Sequence, residues 1–564
     1  MDDPHERIVM TPRGKTANST TIMVERRKVV SQDGDKVHVG GGQHAGIIVN
    51  KEVRQDIEDT PAHLQLEFKV FLINAHTHTH THESRQLRFW FQSSYGPEKE
   101  RMRSAQEFFK ELVSPLEFPR DYVGFIKKIM KMMQHKYKMI SKTEVELKQL
   151  QESDKPPTRP MEEEKLALSE EQVLEMIESS FPNPVTTQDL AKRGGSTEGE
   201  VDGFVHSLTN KGLIKAMAPG CYTRVGQNET DVKVVRQMPT MTSKKQPTIA
   251  IITANYCEKL AVDTMIEHQE TFVRYTTVGE SNIYTLGNIG AHRVVCTKLP
   301  TVGHDRSASI AAGNTTTRLL GTFQHVEHVF LVGVAGGVPH YTDYNRHVRL
   351  GDVVIATPPL GHKYIYMYCD QAKTLDTGSY EFETKSWGPP DLSLQNIAQR
   401  LKEQGEDGEG VCPWLQYMQE GNHKLSAQEM DFSRPSHDTD KLYMSIGGSD
   451  VIEVSHPLPP EGHTRDNSKP HIHLGVVASG RCVVGDDEMR QDFATQLGVV
   501  AYDQEFDTVV ESIYGNRKDQ YVFIRGVCDY ENGTRHREWQ PYASLAAAGF
   551  MKAVICGMEP PNDQ

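Results

Sequence analysis

The chain has 564 residues, of which 37% are hydrophobic and 24% are charged, and its formal net charge is −14. This length is too great for one hydrophobic core, so we expect two to four domains. The acidic balance argues against nucleic-acid binding by the whole chain, although a local basic patch stays compatible with it. No apolar run approaches the roughly 18 residues of a membrane-spanning helix, so we expect no membrane insertion.

The cysteines and the first residues bear on location and cofactors. Eight cysteines are scattered along the chain without a Cys-x-x-Cys pair, which speaks against a zinc knuckle and against a disulfide scaffold. The segment Met1-Asp-Asp-Pro4 lacks the basic-then-apolar pattern of a signal peptide. We therefore expect a cytoplasmic protein, with the nucleus as the alternative, and we predict neither a cofactor nor a bound metal.

The N-terminal region divides into two segments. Residues 1–60 are polar and glycine-rich, so we predict that they are mostly disordered, with a short strand near Ile47–Val49 as an alternative. Residues 61–145 are predicted as a helical region that also contains a tract of alternating His and Thr at 75–82. Such a tract can chelate a metal ion, but low-complexity sequence is the interpretation we favour.

One strand and two helices are expected within residues 61–145, at Leu64–Ile73, Glu98–Val113 and Asp121–Met139. The second helix intersperses lysines with Phe, Ile and Met side chains. A basic, Met-rich amphipathic helix can bind an anionic membrane or a calmodulin-like partner. We favour the alternative that its apolar face packs on neighbouring elements while the lysines face water.

Residues 167–226 lie between predicted linkers at 146–166 and 227–246. Three short helices precede a β-hairpin that turns at Ala218-Pro-Gly220, and the third helix begins with the capping box Thr197-x-x-Glu200. This order of elements resembles a winged-helix domain, on the analogy of fold alone.

The third helix of this segment is the one that would read DNA in a winged-helix protein. It begins with Glu198, Glu200 and Asp202, which place negative charge where phosphates would lie. We therefore expect a protein partner for this domain, with DNA binding as the less favoured alternative.

Residues 247–557 alternate strand and helix patterns, beginning with the apolar run Thr248–Thr253. This alternation predicts an α/β fold, which we expect to be a three-layer sandwich with a mixed central sheet. Within it, residues 360–470 form a long polar insertion rich in Pro and Gly, either a lid over a pocket or a disordered excursion.

Six motifs follow one another in this region. They are Ile249-Ala-Ile-Ile-Thr-Ala-x-x-x-Glu258, Val332-Gly-x-Ala-Gly-Gly337, Arg349-Leu-Gly-Asp-Val-Val354, Ala478-Ser-Gly480, Arg525-x-x-x-Asp529 and Glu538-Trp-Gln-Pro-Tyr-Ala543. In this order they resemble the purine nucleoside phosphorylase and uridine phosphorylase superfamily, its nucleosidase branch above all. The resemblance implies cleavage of the N-glycosidic bond of a purine nucleoside and assembly as a homo-oligomer.

The resemblance also assigns roles to individual residues. Asp529 matches the acid that protonates the purine, with helix capping as the alternative, and Cys528 stands where serine is frequent. Glu505 matches the glutamate that holds the ribose hydroxyls, and Gln504 replaces a methionine that packs on the sugar. Glu258 matches the glutamate that activates water, the alternative being a solvated first-turn residue stabilised by the helix dipole.

Further residues are expected around the substrate. The strand Phe330–Val334 runs into small residues that let a ligand approach closely. Val483 stands where many nucleosidases stack an aromatic ring on the base. The residues that we expect to line the pocket are Ala335, Gly336, Gly337, Ser479 and Val483.

The nucleophile is either water or phosphate. The segment Thr253–Glu258 has neither the arginines nor the Gly-rich loop of phosphorylases, and Val334 replaces a hydroxyl that often contacts phosphate. We therefore favour hydrolysis, although Arg306 could bind a phosphate and keeps phosphorolysis open. An alternative of another class is a catalytically weak or inactive nucleoside-sensing module in a multidomain regulatory protein.

Overall fold

The chain divides into two compact units. The first comprises Met1–Glu163, His340–His347 and Lys441–Thr464, and the second comprises Glu164–Pro339, Val348–Asp440 and Arg465–Gln564. The computed structural model describes residues 6–16, 18–28, 37–39, 47–50, 61–73, 80–92, 95–114, 118–119, 122–150, 168–226, 232–239, 241–242, 245–274, 281–299, 306–341, 343–375, 379–406, 412–445, 451–460, 464–504, 506–531, 533 and 537–561.

Strands and helices are numbered separately in chain order. The strands are β1 (Glu6–Lys15), β2 (Ser19–Lys28), β3 (Val37–Val39), β4 (Ile47–Asn50), β5 (Leu64–Ile73), β6 (His80–Phe91), β7 (Ile140–Gln149), β8 (Val185–Thr186), β9 (Ile214–Ala218), β10 (Cys221–Arg224), β11 (Lys233–Val234), β12 (Ile249–Thr253), β13 (Glu267–Arg274), β14 (Asn282–Ile289), β15 (His292–Lys298), β16 (His328–Gly337), β17 (Val353–Ala356), β18 (Tyr366–Thr374), β19 (Tyr380–Trp387), β20 (Leu442–Ser445), β21 (Val451–Val454), β22 (Ile472–Ser479), β23 (Val499–Tyr502) and β24 (Gln520–Asp529). The helices are α1 (Glu98–Leu112), α2 (Tyr122–His135), α3 (Glu170–Ser180), α4 (Thr187–Gly194), α5 (Glu198–Asn210), α6 (Tyr256–Met265), α7 (Arg306–Thr322), α8 (Ser393–Glu406), α9 (Pro413–Leu425), α10 (Arg481–Val484), α11 (Asp487–Leu497), α12 (Asp507–Gly515) and α13 (Gln540–Cys556).

The first unit is built on a sheet that, within the described residues, runs in the order β20-β21-β5-β6-β7-β2-β1-β4-β3. Neighbouring strands are antiparallel except β1 and β4, which are parallel. Phe68 of β5 lies edge-on to Phe109 of α1 and to Phe125 of α2. The apolar face of α2 is therefore buried in this core, which agrees with the packing interpretation of that helix.

The prediction that residues 1–60 are mostly disordered is wrong for the part that the structure describes, because β1 to β4 lie there. Ile8 of β1 and Ile22 and Val24 of β2 are buried in the core of this unit. The apolar residues form only two short runs, Ile8–Met10 and Ile22–Val24, between polar residues such as Thr, Arg and Glu. The overall composition therefore indicated disorder, although each run is long enough to bury part of a strand.

The segment 61–145, predicted as helical, also contains β5, β6 and the start of β7. Strand β7 continues to Gln149 and so occupies the beginning of the predicted linker 146–166. Of the His-Thr tract, residues 80–82 begin β6, and residues 75–79 lie outside the described part of the chain. No group of three or more His, Cys, Asp or Glu side chains in the described residues is placed to hold a metal ion.

The predicted insertion, residues 360–470, is neither a single lid nor a single disordered excursion. Some of its described segments belong to the first unit and others belong to the second. Strands β18 and β19 pair at the edge of the second unit's sheet, and α8 and α9 pack on α13. Strands β20 and β21 extend the sheet of the first unit, where Ile452 pairs with Val70 of β5. Ile452 is buried there with Val454, which explains their alternation with polar residues.

The second unit contains a small sheet, β8-β10-β9, with α3 to α5, and a larger sheet followed by its helices. The larger sheet runs β11-β13-β14-β15-β12-β16-β24-β17-β22-β18-β19, and β23 pairs with β16 and β22. It mixes parallel pairs such as β16 and β24 with antiparallel pairs such as β17 and β24, so the predicted mixed sheet is present. Helix α13 packs on β16 and β24, and its Pro541–Ile555 segment is buried on all sides. No described helix has the length and apolarity needed to cross a membrane.

Lys298, the last residue of β15, connects the end of α3 to the larger sheet. Its side chain is fully buried, and Nζ donates to the carbonyls of Ser179 at 2.9 Å, Phe181 at 3.1 Å and Leu299 at 3.0 Å. Phe181 also lies edge-on to Tyr256 of α6. The end of α3 is thus held against the sheet beside the helix that carries Glu258.

Replacing Lys298 by methionine is expected to destabilise the second unit by about 1–3 kcal/mol, because buried carbonyls lose their donor. Burial lowers the pKa of Lys298 to about 7, whereas an unfolded lysine titrates near about 10.4. The unfolded chain therefore binds more protons between these values, so the unfolding free energy should rise with pH from about 7 to 10. Urea unfolding across this window should show a smaller rise in Lys298→Met than in the exposed control Lys373→Met.

Candidate active site

The carboxyl end of β16 brings together segments that are distant in sequence. Gly336 pairs with Tyr502 of β23 on one side and with Asp529 of β24 on the other. Asp503 and Gln504 follow Tyr502 directly, so they lie across one glycine from Asp529. Ligands bind at such strand ends in α/β sheets, and a glycine there leaves room beside the backbone.

Glu258 lies in the first turn of α6 and is only 2% exposed, so it is not the solvated residue of the alternative interpretation. Its Oε2 accepts from the backbone amides of Ala254 at 2.6 Å and Asn255 at 2.8 Å. Its Oε1 accepts from the Asn255 side chain at 3.2 Å and from the Val334 amide at 2.8 Å. These four hydrogen bonds fix the carboxylate in one orientation against β16.

Gly333 is the glycine that makes this approach possible. A Cβ at this position would lie 2.3 Å from Glu258 Oε1 and 2.7 Å from Arg525 Nη1. Any other residue would displace the carboxylate or the guanidinium. Gly336 and Gly337 were the glycines expected to leave room for a ligand. A Cβ at Gly337 would meet the side chains of Val527 and Val348 and not a residue of the candidate site.

Arg525 pairs with Gly333 in the sheet and begins the motif Arg525-x-x-x-Asp529, but it was not predicted as a site residue. Its side chain is fully buried, its Nε lies 2.5 Å from Asp503 Oδ2, and its guanidinium stacks 4.4 Å from the ring centroid of Phe506. None of its three nitrogens, Nε, Nη1 and Nη2, has a hydrogen-bond partner among the described residues. The sequence did offer a signal for Arg525, namely a charged residue inside the apolar strand β24. A buried arginine requires a charged or polar partner, so such a residue indicates a polar cluster.

Asp503 completes a buried cluster of two carboxylates and one guanidinium. It is 1% exposed, and its Oδ1 accepts from the Gln504 amide at 2.7 Å. Burial raises the pKa of the Asp503 carboxyl to about 7, although the Arg525 guanidinium beside it acts to lower that pKa. The Arg525 guanidinium lies at ion-pair distance from Asp503 Oδ2, 2.5 Å from Nε, although neither of these two atoms has a hydrogen-bond partner among the described residues.

Asp529 ends β24 and is 1% exposed. Its Oδ1 accepts from the amides of Glu531 at 2.8 Å and Gly533 at 2.9 Å, so it shapes the turn that follows, as in the capping alternative. Gly533 has a φ of +82° and packs on Ala335, where a Cβ would lie 2.9 Å from the Ala335 Cα. The buried thiol of Cys528 donates to the Gly533 carbonyl at 3.5 Å and supports the same turn.

The segment expected to bind the ribose is described in part. Glu505 lies outside the described residues. The Gln504 side-chain oxygen is buried and has no hydrogen-bond partner among the described residues. Tyr366 holds both neighbours of Glu505, because its hydroxyl accepts from the Phe506 amide at 3.0 Å and contacts the Gln504 carbonyl at 3.5 Å.

Three further predicted residues lie on other elements: Ser479 follows Ala478, whose carbonyl accepts from the Asp503 amide at 2.8 Å. Ser479 ends β22 and is 1% exposed. Val483 of α10 is fully buried in an apolar cluster with Phe493 and Tyr502, and its place beside the base stays a prediction. Arg306 begins α7, and its side chain lies outside the part that the structure describes.

Comparisons with known proteins identify one domain family and one related protein. The winged helix-turn-helix domain family matches residues 159–226, so the chain contains a winged-helix domain there. A nucleotide-binding leucine-rich repeat (NLR)-like protein from Hyaloscypha variabilis is 27% identical over 283 residues, which is 50% of this chain and 26% of that protein. The chain thus matches about a quarter of the length of this relative.

Solved structures similar to this chain include nucleosidases. A 5'-methylthioadenosine/S-adenosylhomocysteine nucleosidase from Neisseria meningitidis, in complex with methylthio-immucillin-A, is 15% identical and covers 55% of this chain and 100% of its own, with a TM-score of 0.33. Futalosine hydrolase of Helicobacter pylori is 14% identical and covers 56% of this chain and 99% of its own, also with a TM-score of 0.33.

Proposed function

We propose that residues 247–557 hydrolyse the N-glycosidic bond of a purine nucleoside. The observation that carries this proposal is the buried cluster of Glu258, Asp503 and Arg525 around Gly333, with Asp529 across Gly336. Buried carboxylates held against a strand end are the groups that glycoside cleavage requires, one to protonate the leaving group and one to activate the nucleophile.

In this mechanism Asp529 donates a proton to the purine ring, so that the base leaves as a neutral molecule. The bond between the anomeric carbon and the base nitrogen breaks, and the resulting oxocarbenium-like sugar is held through its hydroxyls by Glu505. Water bonds to the anomeric carbon, and Glu258 takes the proton that the water loses. The products are free base and free sugar.

Arg525 is proposed to position the water. Its Nη1 and Glu258 Oε1 lie around the same point beside Gly333. A guanidinium N–H can donate to the water oxygen while the carboxylate accepts its proton. Asp503 keeps the guanidinium in place through their 2.5 Å contact.

Water is favoured over phosphate because β16 offers phosphate no donor at Val334. The valine side chain is apolar, and its amide already donates to Glu258 at 2.8 Å. An anion at this point would contact the Arg525 guanidinium but would also face two carboxylates, those of Glu258 and Asp503, so repulsion from the second carboxylate is not offset.

A second candidate function is binding of a nucleoside without turnover. Glu258 already accepts four hydrogen bonds, about as many as a carboxylate has lone pairs, so activating a water requires one of them to be given up. Gln504 in place of a methionine that packs on the sugar points the same way. In this case the domain would be a nucleoside sensor within a larger regulatory protein.

A substrate panel separates these functions. The full chain is incubated with adenosine, inosine, methylthioadenosine or uridine, with and without phosphate, and free base is measured by chromatography. The proposal predicts that a purine nucleoside releases its base without phosphate. Release that requires phosphate would establish phosphorolysis instead, and thermal stabilisation by a nucleoside without any release would establish the sensor.

A further inference from the structure

We propose that Cys369 and Cys482 are a redox-sensitive pair that forms a reversible disulfide within the second unit. Cys369 lies on β18 and Cys482 on α10, and their Sγ atoms are 3.4 Å apart. A disulfide bond is about 2.05 Å long, so the sulfurs must approach by roughly 1.4 Å. Rotation of the partly exposed Cys482 side chain on its short helix can supply such a movement.

The backbone around the pair brings the two residues together. Strands β18 and β22 are parallel neighbours, with Tyr368 aligned to Ser479. Gly480 then turns the chain over Cys369, with a φ of +145° that favours glycine. A Cβ on Gly480 would lie 2.6 Å from the Cys369 carbonyl oxygen and 2.8 Å from its Cβ, which shows how closely this turn presses on Cys369.

The two thiols differ in their access to solvent. Cys369 is 1% exposed, whereas Cys482 is partly exposed. Burial and the neighbouring Cys482 raise the pKa of the Cys369 thiol, so Cys369 is the poorer nucleophile toward a dissolved oxidant. Cys482 is therefore the thiol that reacts first, and Cys369 is the resolving thiol.

The oxidant is a peroxide. The Cys482 thiolate attacks one oxygen of hydrogen peroxide, which breaks the O–O bond and gives a sulfenic acid and hydroxide. The Cys369 sulfur then attacks the sulfenic sulfur, and the sulfenic oxygen leaves as water with the Cys369 proton. In total, two thiols and one hydrogen peroxide give one disulfide and two water molecules.

Oxidation would act on the segment that is expected to meet the base. Cys482 lies between Ser479 and Val483, so a disulfide ties this segment to β18. This consequence rests on the proposed function, whereas formation of the disulfide does not. A disulfide in a reducing compartment is usually transient and serves redox sensing, which suits a pair that is reduced at rest.

The pair is tested on the full chain with a titration of hydrogen peroxide. After remaining thiols are blocked, peptide mass spectrometry should find Cys369 linked to Cys482, and dithiothreitol should reverse the link. Cys369→Ser should instead leave a sulfenic acid at Cys482 that dimedone traps, and Cys482→Ser should leave the buried Cys369 unmodified. The exposed Cys556 provides an internal measure of thiol oxidation.

The proposal is overturned if Cys556 becomes oxidised while no peptide links Cys369 to Cys482, or if Cys482→Ser leaves Cys369 as reactive as before. Nucleoside binding is then measured on the reduced and the linked protein, and the dissociation constant is expected to differ between them. If the link forms but neither form binds or cleaves a nucleoside, the proposed function fails while the disulfide stands. If the link forms and binding is equal in both forms, the regulatory consequence is wrong.

Discussion

Replacing Asp529 by asparagine is expected to slow base release by about 10²–10⁴-fold, because the neutral amide cannot donate a proton to the purine. The amide oxygen can still accept from Glu531 and Gly533, which the aspartate Oδ1 does at 2.8 and 2.9 Å. The turn should therefore persist, and the melting temperature should change little. Single-turnover base release and a thermal melt measure the two effects separately.

Asp486 provides a matched control for Asp529. Its side chain accepts from the Met489 amide at 2.8 Å and so caps α11 without any place in the proposed chemistry. Asp486→Asn should leave base release unchanged. If Asp529→Asn behaves like Asp486→Asn, Asp529 shapes a turn and is not the acid.

Replacing Arg525 by methionine is expected to destabilise the second unit by about 3–5 kcal/mol, because it leaves Asp503 as a buried carboxylate without a counter-ion. Base release should also be lost with the group that positions the water. Adding Asp503→Asn should recover part of the stability, since the uncompensated charge is removed. Urea unfolding is followed by tryptophan fluorescence in a Trp90→Phe background, because Trp90 lies in the first unit and the other three tryptophans, Trp387, Trp414 and Trp539, lie in the second.

The exposed pair of Arg103 and Glu107 is the control for charge removal. Arg103→Met should leave the unfolding transition unchanged, because surface ion pairs contribute little. Equal stability of Arg525→Met and the unaltered protein would contradict the buried pair. Full activity of Arg525→Met would contradict its role toward water.

The part of the candidate site that could be predicted from sequence consists of residues in short motifs at the ends of strands. Glu258, Gly336 and Asp529 lie in such motifs, and the structure places Gly336 beside Asp529 in the sheet. Arg525 was overlooked because its contact with Asp503 cannot be predicted from either motif alone. The two residues come together because β23 and β24 both pair with β16. A motif identifies single residues, whereas the pairing of the strands determines which of these residues contact one another.

The first unit was the poorest prediction, and its strand pairing explains why. Lys69 of β5 contacts Glu453 of β21 at 3.1 Å, although 384 positions separate them. Nothing local in either segment indicates such a partner. The predicted disorder of residues 1–60 had a similar cause, because β1 and β2 bury one face only after α2 and β7 lie beside them.

The mixed sheet of the second unit followed from alternating strand and helix patterns, since that periodicity is local. The three-layer arrangement stays a prediction. The role of Val483 also stays a prediction, because its packing with Phe493 and Tyr502 does not show what a bound base would contact.

The most direct test of the central claim is the origin of the oxygen on the released sugar. The full chain is incubated with a purine nucleoside in H2(18)O without phosphate, and the sugar is reduced at once with borohydride and analysed by mass spectrometry. A parallel sample of free ribose corrects for exchange with the solvent. Hydrolysis predicts one labelled oxygen at the anomeric carbon for every base released, whereas an unlabelled sugar, a sugar phosphate that forms only when phosphate is supplied, or no release at all would contradict it.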